Sequence, residues 1–216
     1  MFASIRRYRL VHGSMEELMR RVDAGFADAI GSQPGFMSYE FMDCGDGEVM
    51  TVSAFRTAEE ADASRDLARR WTQENLQGFE FTRLESMRGR VMVSRAAQDM
   101  LAPGHAGATG RFASVRRYRL RGGSVEDLAH IVDQTFADEI SQIDGFDAYH
   151  LIDCGAGEIC AISVFGDQGA AEESDDRSLD FVQAQLRDFD IERTEVIGAE
   201  VAVTRAMEEL LEPAHA

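Results

Sequence analysis

Shifted by 110 positions, the chain lies over itself. Residues 2–106 align with 112–216 without a gap, and roughly two in five aligned positions are identical. Phe2-Ala3-Ser4-Ile5-Arg6-Arg7-Tyr8-Arg9-Leu10 returns as Phe112-Ala113-Ser114-Val115-Arg116-Arg117-Tyr118-Arg119-Leu120. Asp43-Cys44-Gly45-Asp46-Gly47-Glu48 returns as Asp153-Cys154-Gly155-Ala156-Gly157-Glu158. Two copies of about 110 residues are too few and too long for a solenoid, so each is expected to be a small domain. The expected organisation is a first copy over 1–106, a linker over 107–111 and a second copy over 112–216.

Charge divides the copies. Residues 1–110 hold 13 Arg against 16 acids, net −3, and residues 111–216 hold 9 Arg against 23 acids, net −14. The total of −17 argues against nucleic acid or an anionic membrane as the main partner. All 22 basic residues are arginine, which removes Schiff-base chemistry and a P-loop lysine. Three cysteines, Cys44, Cys154 and Cys160, give no disulfide framework. No run of about 18 apolar residues and no lipid motif is present, so a soluble, cytoplasmic protein is expected.

Each copy patterns as β-α-β-β-α-β. Residues 3–10 read as a strand, after which Ser14 and Glu17 open a helix. Its apolar stripe is Met15, Leu18, Val22, Phe26 and Ile30, repeated at Val125, Leu128, Val132, Phe136 and Ile140. Pro34-Gly35 breaks that helix. Residues 36–43 and 48–55 read as a hairpin across the glycine turn, and Thr57 with Glu60 caps a second helix reaching Asn75. A long strand over 79–95 and a short helix over 96–101 close the copy. Such a sheet carries helices on one face only, and both faces of residues 48–55 are largely uncharged. The expected fold class is α+β: two ferredoxin-like repeats pairing sheet against sheet, about a pseudo-two-fold axis, into an eight-stranded pseudo-dimeric barrel.

The sequence Gly35-Phe36-x-x-Tyr39, then Asp43, the glycine turn and Val52-Ser53-Ala54-Phe55-Arg56, resembles the dimeric α+β barrel superfamily, and within it the antibiotic-biosynthesis-monooxygenase (ABM-type) domains. The resemblance spans each whole repeat, so a fused pair would mimic the family homodimer. It implies cofactor-independent oxidation of aromatic polyketides in a pocket between sheet and helices. A haem-degrading branch carries an Asn on the first strand, a Trp on the second helix and a nearby His. Here the first strand has Ser4, Arg6 and Tyr8, Trp71 becomes Phe181 in the second copy, and no matching His follows. Haem degradation is therefore disfavoured.

Candidate residues follow from polar groups placed where a covered sheet should be apolar. Arg6, Arg7 and Arg9, with Tyr8, recur as Arg116, Arg117 and Arg119 with Tyr118; such a strand needs carboxylates or a ligand. Either Arg6 and Arg116 clamp an anion, or they pair with Glu85/Glu195 or Asp43/Asp153. Ser64, Ala68 and Trp71 share a helical face, replaced by Ser174, Ser178 and Phe181, and either line a cavity or pack as core. Tyr39 and Tyr149 keep a hydroxyl in both copies. Arg83 and Glu85, two apart on one strand face, orient a ligand or join sheets. Asn75 is the polar residue near the end of the second helix. Asp23, Asp133, Asp28 and Asp138 read as solvated helix positions, and His105 and His215 as flexible tails. No His, Cys and Asp grouping has metal-ligand spacing, Cys44 reads as a turn residue, and Ala156 breaks any calcium-like loop.

Two function classes follow. The first is a cofactor-independent monooxygenase for a small aromatic or polyketide-like molecule. There Arg6 and Arg116 stabilise the substrate anion, Tyr8, Tyr118 or Trp71 position it, and Asn75 joins the catalytic set. Tyr39, Ser64, Tyr149 and Phe181 would line the substrate site. The second is a non-catalytic binding or interaction module of the same fold. No cofactor or metal is expected, and further association of the chain is left open. Trp71 and Asn75 make the first copy the expected working half.

Overall fold

The computed structural model describes residues 1–216 except Ala108. Along the chain, β1 (Phe2–His12) leads to α1 (Met15–Arg21), a π-helical turn (Val22–Phe26) and α2 (Ala27–Gly31). Then come β2 (Phe36–Gly45), β3 (Glu48–Phe55), α3 (Ala58–Asn75) and β4 (Glu80–Ala96), closed by a 3-10 turn (Gln98–Leu101). The order repeats: β5 (Arg111–Gly122), α4 (Val125–Ile131), a π turn (Val132–Phe136), α5 (Ala137–Ile140), β6 (Phe146–Gly155), β7 (Glu158–Phe165), α6 (Gln168–Gln185), β8 (Asp190–Ala206) and a 3-10 turn (Glu208–Leu211). The hydrogen-bonded strand order closes as β1-β3-β2-β8-β5-β7-β6-β4, an eight-stranded barrel in an α+β protein.

Compactness divides the described residues into two units that are not continuous in sequence. Unit 1 is Met1–Arg88, Leu101–Gly110 and Glu200–Leu210; unit 2 is Gly89–Met100, Arg111–Ala199 and Leu211–Ala216. Each unit therefore takes the end of a long strand from the opposite half of the chain. In unit 1 the end of β8 pairs antiparallel with β2, from Ser38 opposite Ala206 to Asp43 opposite Glu200. In unit 2 the end of β4 pairs with β6, from Ala96 opposite Ala148 to Arg90 opposite Asp153. Gly89 is required there: a Cβ would lie 2.0 Å from the Asp153 carbonyl oxygen.

Local chemistry explains the boundaries. The Ser14 hydroxyl accepts from the Glu17 amide at the start of α1, and Thr57 and Glu60 form a reciprocal capping box before α3. At α6 the cap is Asp167, whose side chain accepts from the Ala170 amide. The π turns were not legible from residue type, but the spacing of the stripe accounts for them. Val22, Phe26 and Ile30 step by four, and each such step drifts about 40° around a 3.6-residue helix. One wider turn absorbs that drift, so Leu18, Val22, Phe26 and Ile30 all bury in the unit 1 core.

Two aspartates depart from the expectation of solvated positions. Asp23 accepts from Arg205 Nη2 (2.9 Å), His105 Nδ1 (3.1 Å) and the Ala106 amide (3.2 Å) within unit 1. Asp133 accepts from Arg95 Nη2 (2.9 Å), His215 Nδ1 (3.1 Å) and the Ala216 amide (3.2 Å) within unit 2. These carboxylates tie down the His105 and His215 segments, which the sequence presented as loose tails. Burial pushes both carboxyls up, but the arginine, histidine and amide donors outweigh it and hold them below the usual aspartate value. Asp28 and Asp138 remain exposed, each beside the same arginine as its neighbour.

Candidate ligand pocket

In unit 1 the sheet and its helices enclose a pocket of about 410 Å³. Arg6 and Tyr8, two residues apart on β1, point from one sheet face. Arg6 stands opposite Thr51 and Tyr8 opposite Val49, while Phe41 faces Thr51 from the other side. These residues, with Tyr39, form the floor. The roof comes from Leu18, Val22, Phe26 and Ile30, from Ser64, Ala68 and Trp71 of α3, and from Leu76 just past its end; Phe81 and Arg83 of β4 complete the wall. Trp71 leans on Phe26 with ring centroids 5.3 Å apart, and Phe26 meets Tyr39 edge-on at 5.4 Å. Gly25 makes room for the indole, since a Cβ there would lie 3.3 Å from Trp71 Cζ2 and Nε1.

The electrostatics are one-sided. Arg6, Arg65, Arg69 and Arg83 line the pocket, and no aspartate or glutamate does. Arg65 and Arg69 reach surface acids, at 3.2 Å to Asp62 and 3.1 Å to Asp66. Among the described residues Arg6 makes neither a hydrogen bond nor an ion pair. Burial, and then repulsion from Arg65 and Arg83, lower its pKa, while Tyr8 and Tyr39 oppose that shift. A guanidinium still keeps its proton at neutral pH. Burial pushes the Tyr39 hydroxyl well above the usual tyrosine value, so it stays neutral.

The corresponding residues of unit 2 take another arrangement. Arg116 is fully buried: its Nη1 donates to Ser174 O (2.9 Å), Ser174 Oγ (3.2 Å) and Asp175 Oδ1 (3.4 Å), and its Nη2 donates to Ser163 Oγ. Ser114 Oγ donates to the same Asp175 oxygen. Tyr118 pairs with Ser178 Oγ at 3.0 Å. Phe181 leans on Phe136, its ring tilted by 33° with centroids 4.8 Å apart, and Phe136 meets edge-on Tyr149, whose hydroxyl pKa is also raised by burial. About 30 Å³ remains, room for roughly one water molecule.

The structure thus brings Arg6, Tyr8, Tyr39, Ser64 and Trp71 around one open cavity. It places Arg116, Tyr118, Tyr149 and Phe181 around a closed one. Asn75 belongs to neither: it is exposed, donates from Nδ2 to the Trp71 carbonyl (3.0 Å), and its own carbonyl accepts from Arg21 (2.7 Å). Helix ends leave carbonyls without partners, and Asn75 serves one of them. The other strand-one arginines pair with acids, one of them with an acid expected from the sequence. Arg7 and Arg9 both hold Glu48, and Arg119 holds Glu158. Of the acids considered at the sequence level, Glu195 does meet this row, 3.2 Å from Arg117. Arg65 and its equivalent Asp175 escaped notice, although the reversal of charge between them was visible in the repeat alignment.

No family model matches the chain, and no curated protein matches it. Solved structures do. A candidate monooxygenase from Fusobacterium nucleatum aligns with a TM-score of 0.64 at 13% identity, covering 94% of each chain. An anthrone oxidase-like protein aligns at 0.53 and 13% identity, covering 97% of this chain and 95% of its own. A candidate chlorite dismutase aligns at 0.59 and 11% identity, covering 97% of each. At these identities the likeness establishes the fold alone, an α+β protein with an eight-stranded barrel, and leaves chemistry to the site. The unit 1 lining contains no imidazole, thiol or thioether, and Tyr8 and Tyr39 are its only side chains of a type that ligates haem iron.

No helix is long and apolar enough to cross a membrane. Among the described residues no group of three or more His, Cys, Asp or Glu is placed to hold a metal ion.

Proposed function

We propose that the chain is a cofactor-independent monooxygenase of the ABM type, a fused pair of repeats (1–106 and 112–216) in which unit 1 oxidises a small aromatic or polyketide-like molecule. The observation carrying this is an apolar pocket of about 410 Å³ with an unpaired guanidinium inside it. Sites for small molecules span roughly 300–1,000 Å³ and combine apolar walls with a few placed polar groups. Arg6 stabilises the oxyanion of an ionised phenol or enol, a charge that grows electron-rich carbon toward O₂. Phe26, Phe41, Trp71 and Phe81 hold the ring plane, and Tyr8 directs the oxygen substituent. In the overall reaction a ring methylene becomes a carbonyl: one oxygen atom of O₂ enters the product, and the other leaves as water with the two hydrogens. The shared fold with an anthrone oxidase-like protein supports this class of substrate.

A second reading is favoured by what the lining lacks. With no carboxylate or imidazole facing the cavity, no ordinary general base is at hand, as suits a carrier of an already ionised ligand. One experiment separates the two. Oxygen consumption is measured with a panel of anthrones, quinols and phenols, using Arg6→Ala and Tyr8→Phe as controls. The oxygenase reading expects uptake that falls at least tenfold in Arg6→Ala. Binding of panel members without uptake, across the whole panel, sinks it in favour of the carrier.

A further inference from the structure

The two units answer the same problem, a guanidinium beneath a helix, in opposite ways. In unit 2 the position after Ser174 is Asp175, and its carboxylate meets Arg116 at 3.4 Å while accepting from Ser114 Oγ. In unit 1 the position after Ser64 is Arg65, so the carboxylate is replaced by a second cation that repels Arg6. The serine hydroxyl that takes Arg116 Nη2 in unit 2 is Ser163 Oγ; its equivalent, Ser53 Oγ, is buried without a hydrogen-bond partner. Arg6 therefore bonds to none of the groups that hold Arg116: the Asp175 carboxylate has no equivalent, and the equivalents of Ser163 and Ser174, Ser53 and Ser64, are present without bonding to it. Instead it faces a cavity beside Arg65, Arg69 and Arg83, in a chain whose net charge is −17. Four cations and no acid line this apolar cavity; Arg65 and Arg69 are each held by a surface aspartate, and Arg6 and Arg83 leave a net positive field for an anion that enters.

We infer that the unit 1 pocket binds an aromatic carboxylate, whose carboxylate takes at Arg6 the place that Asp175 fills at Arg116. This rests on the ligand-site reading above and narrows its substrate class: the ring lies among Phe26, Phe41, Trp71 and Phe81, and the carboxylate engages the planar donors of the guanidinium. Arg65 and Arg83 add attraction at the opening without needing to touch the ligand. Being more exposed, they act through a screened field that weakens as salt is raised.

Titration calorimetry on the full chain tests this, with 1-naphthoate and its neutral isostere 1-naphthamide as probes. The expected result is a preference for the carboxylate of at least tenfold at low salt, shrinking at high salt. Two substitutions then probe its origin. Arg6→Gln removes the charge, and Arg65→Asp supplies unit 1 with the internal carboxylate of unit 2. Each should abolish the preference for the carboxylate, and naphthamide binding that remains measurable shows that the pocket still forms. Trp71, the single tryptophan of the chain, gives a separate check of folding through its emission.

Equal affinity for the two probes overturns the inference, as does a carboxylate preference that survives Arg65→Asp, or no heat with either probe. The outcome is independent of turnover. Carboxylate preference without oxygen uptake leaves this inference standing and removes the oxygenase; uptake confined to neutral substrates does the reverse.

Discussion

Unit 1 and unit 2 carry equivalent Arg, Tyr and Ser residues around an equivalent space, yet one space is open at about 410 Å³ and the other nearly closed at about 30 Å³. Four exchanges account for most of the difference. Asp175 in place of Arg65 draws Arg116 into hydrogen bonds with α6, and Ser178 in place of Ala68 gives Tyr118 a partner. Phe181 in place of Trp71 settles on Phe136. Gly25, which leaves room for the indole, is Thr135 in unit 2. The lesson is that the cavity stays open where its buried-side arginine lacks an internal partner. Once the chain supplies one, the same group becomes part of the core.

The comparison is broken most sharply by removing the two arginines. Arg116→Ala takes away a buried cation bonded to Ser163, Ser174 and Asp175, and should destabilise the fold by about 3 kcal/mol. Arg6→Ala, which breaks no protein–protein hydrogen bond, should cost under about 1 kcal/mol. Urea denaturation of both variants measures this, and equal losses would show that Arg6 is structural too.

A smaller effect should come from the two buried-side aspartates, where the units agree. Asp133→Asn and Asp23→Asn should each cost about 1–2 kcal/mol at pH 7, with Asp133 the larger because it is the more buried. Both carboxyls lie below their unfolded value. Their contribution is therefore complete above about pH 4 and is lost as pH falls further through the folded pKa. Thermal unfolding from pH 7 to pH 3 should show the native chain losing stability more steeply below pH 4 than either variant.

The smallest effect concerns the hairpin turns. Asp46 and Ala156 occupy left-handed backbone, with φ of 51° and 52°. Aspartate tolerates that region better than alanine, whose Cβ crowds the following carbonyl. Ala156→Gly should therefore stabilise unit 2 by about 0.5–1 kcal/mol, while Asp46→Gly should gain less. Paired melting curves would sharpen the contrast, and a loss at Ala156→Gly would reject it.

Much of the fold was legible because it is written in local rules. Alternation and the glycine turn marked Glu48–Phe55 at its true limits, and the Thr57–Glu60 box with its helical run marked the helix to Asn75. Capping needs only residues three apart, so it survives without tertiary knowledge. The site was partly legible: a row of arginines with a tyrosine on a covered strand announced a group needing a partner. Which partner it finds could not be read, since Arg6 and Arg116 have the same flanking residues but for Ile5 against Val115, and differ in what a distant helix presents. Asp23 and Asp133 misled for the same reason, their arginines lying about 180 positions away in one case, at Arg205, and nearly 40 in the other, at Arg95.

By itself, then, the sequence determined the elements, their order and the inventory of charged groups, because hydrophobic period, caps and turn residues act over a few positions. Tertiary structure alone decided which of those charges are satisfied and where space is left. Burial and hydrogen bonding depend on groups far apart in the chain, so that with Asp175 in place of Arg65 the same guanidinium is bonded into the core of unit 2 and faces open space in unit 1.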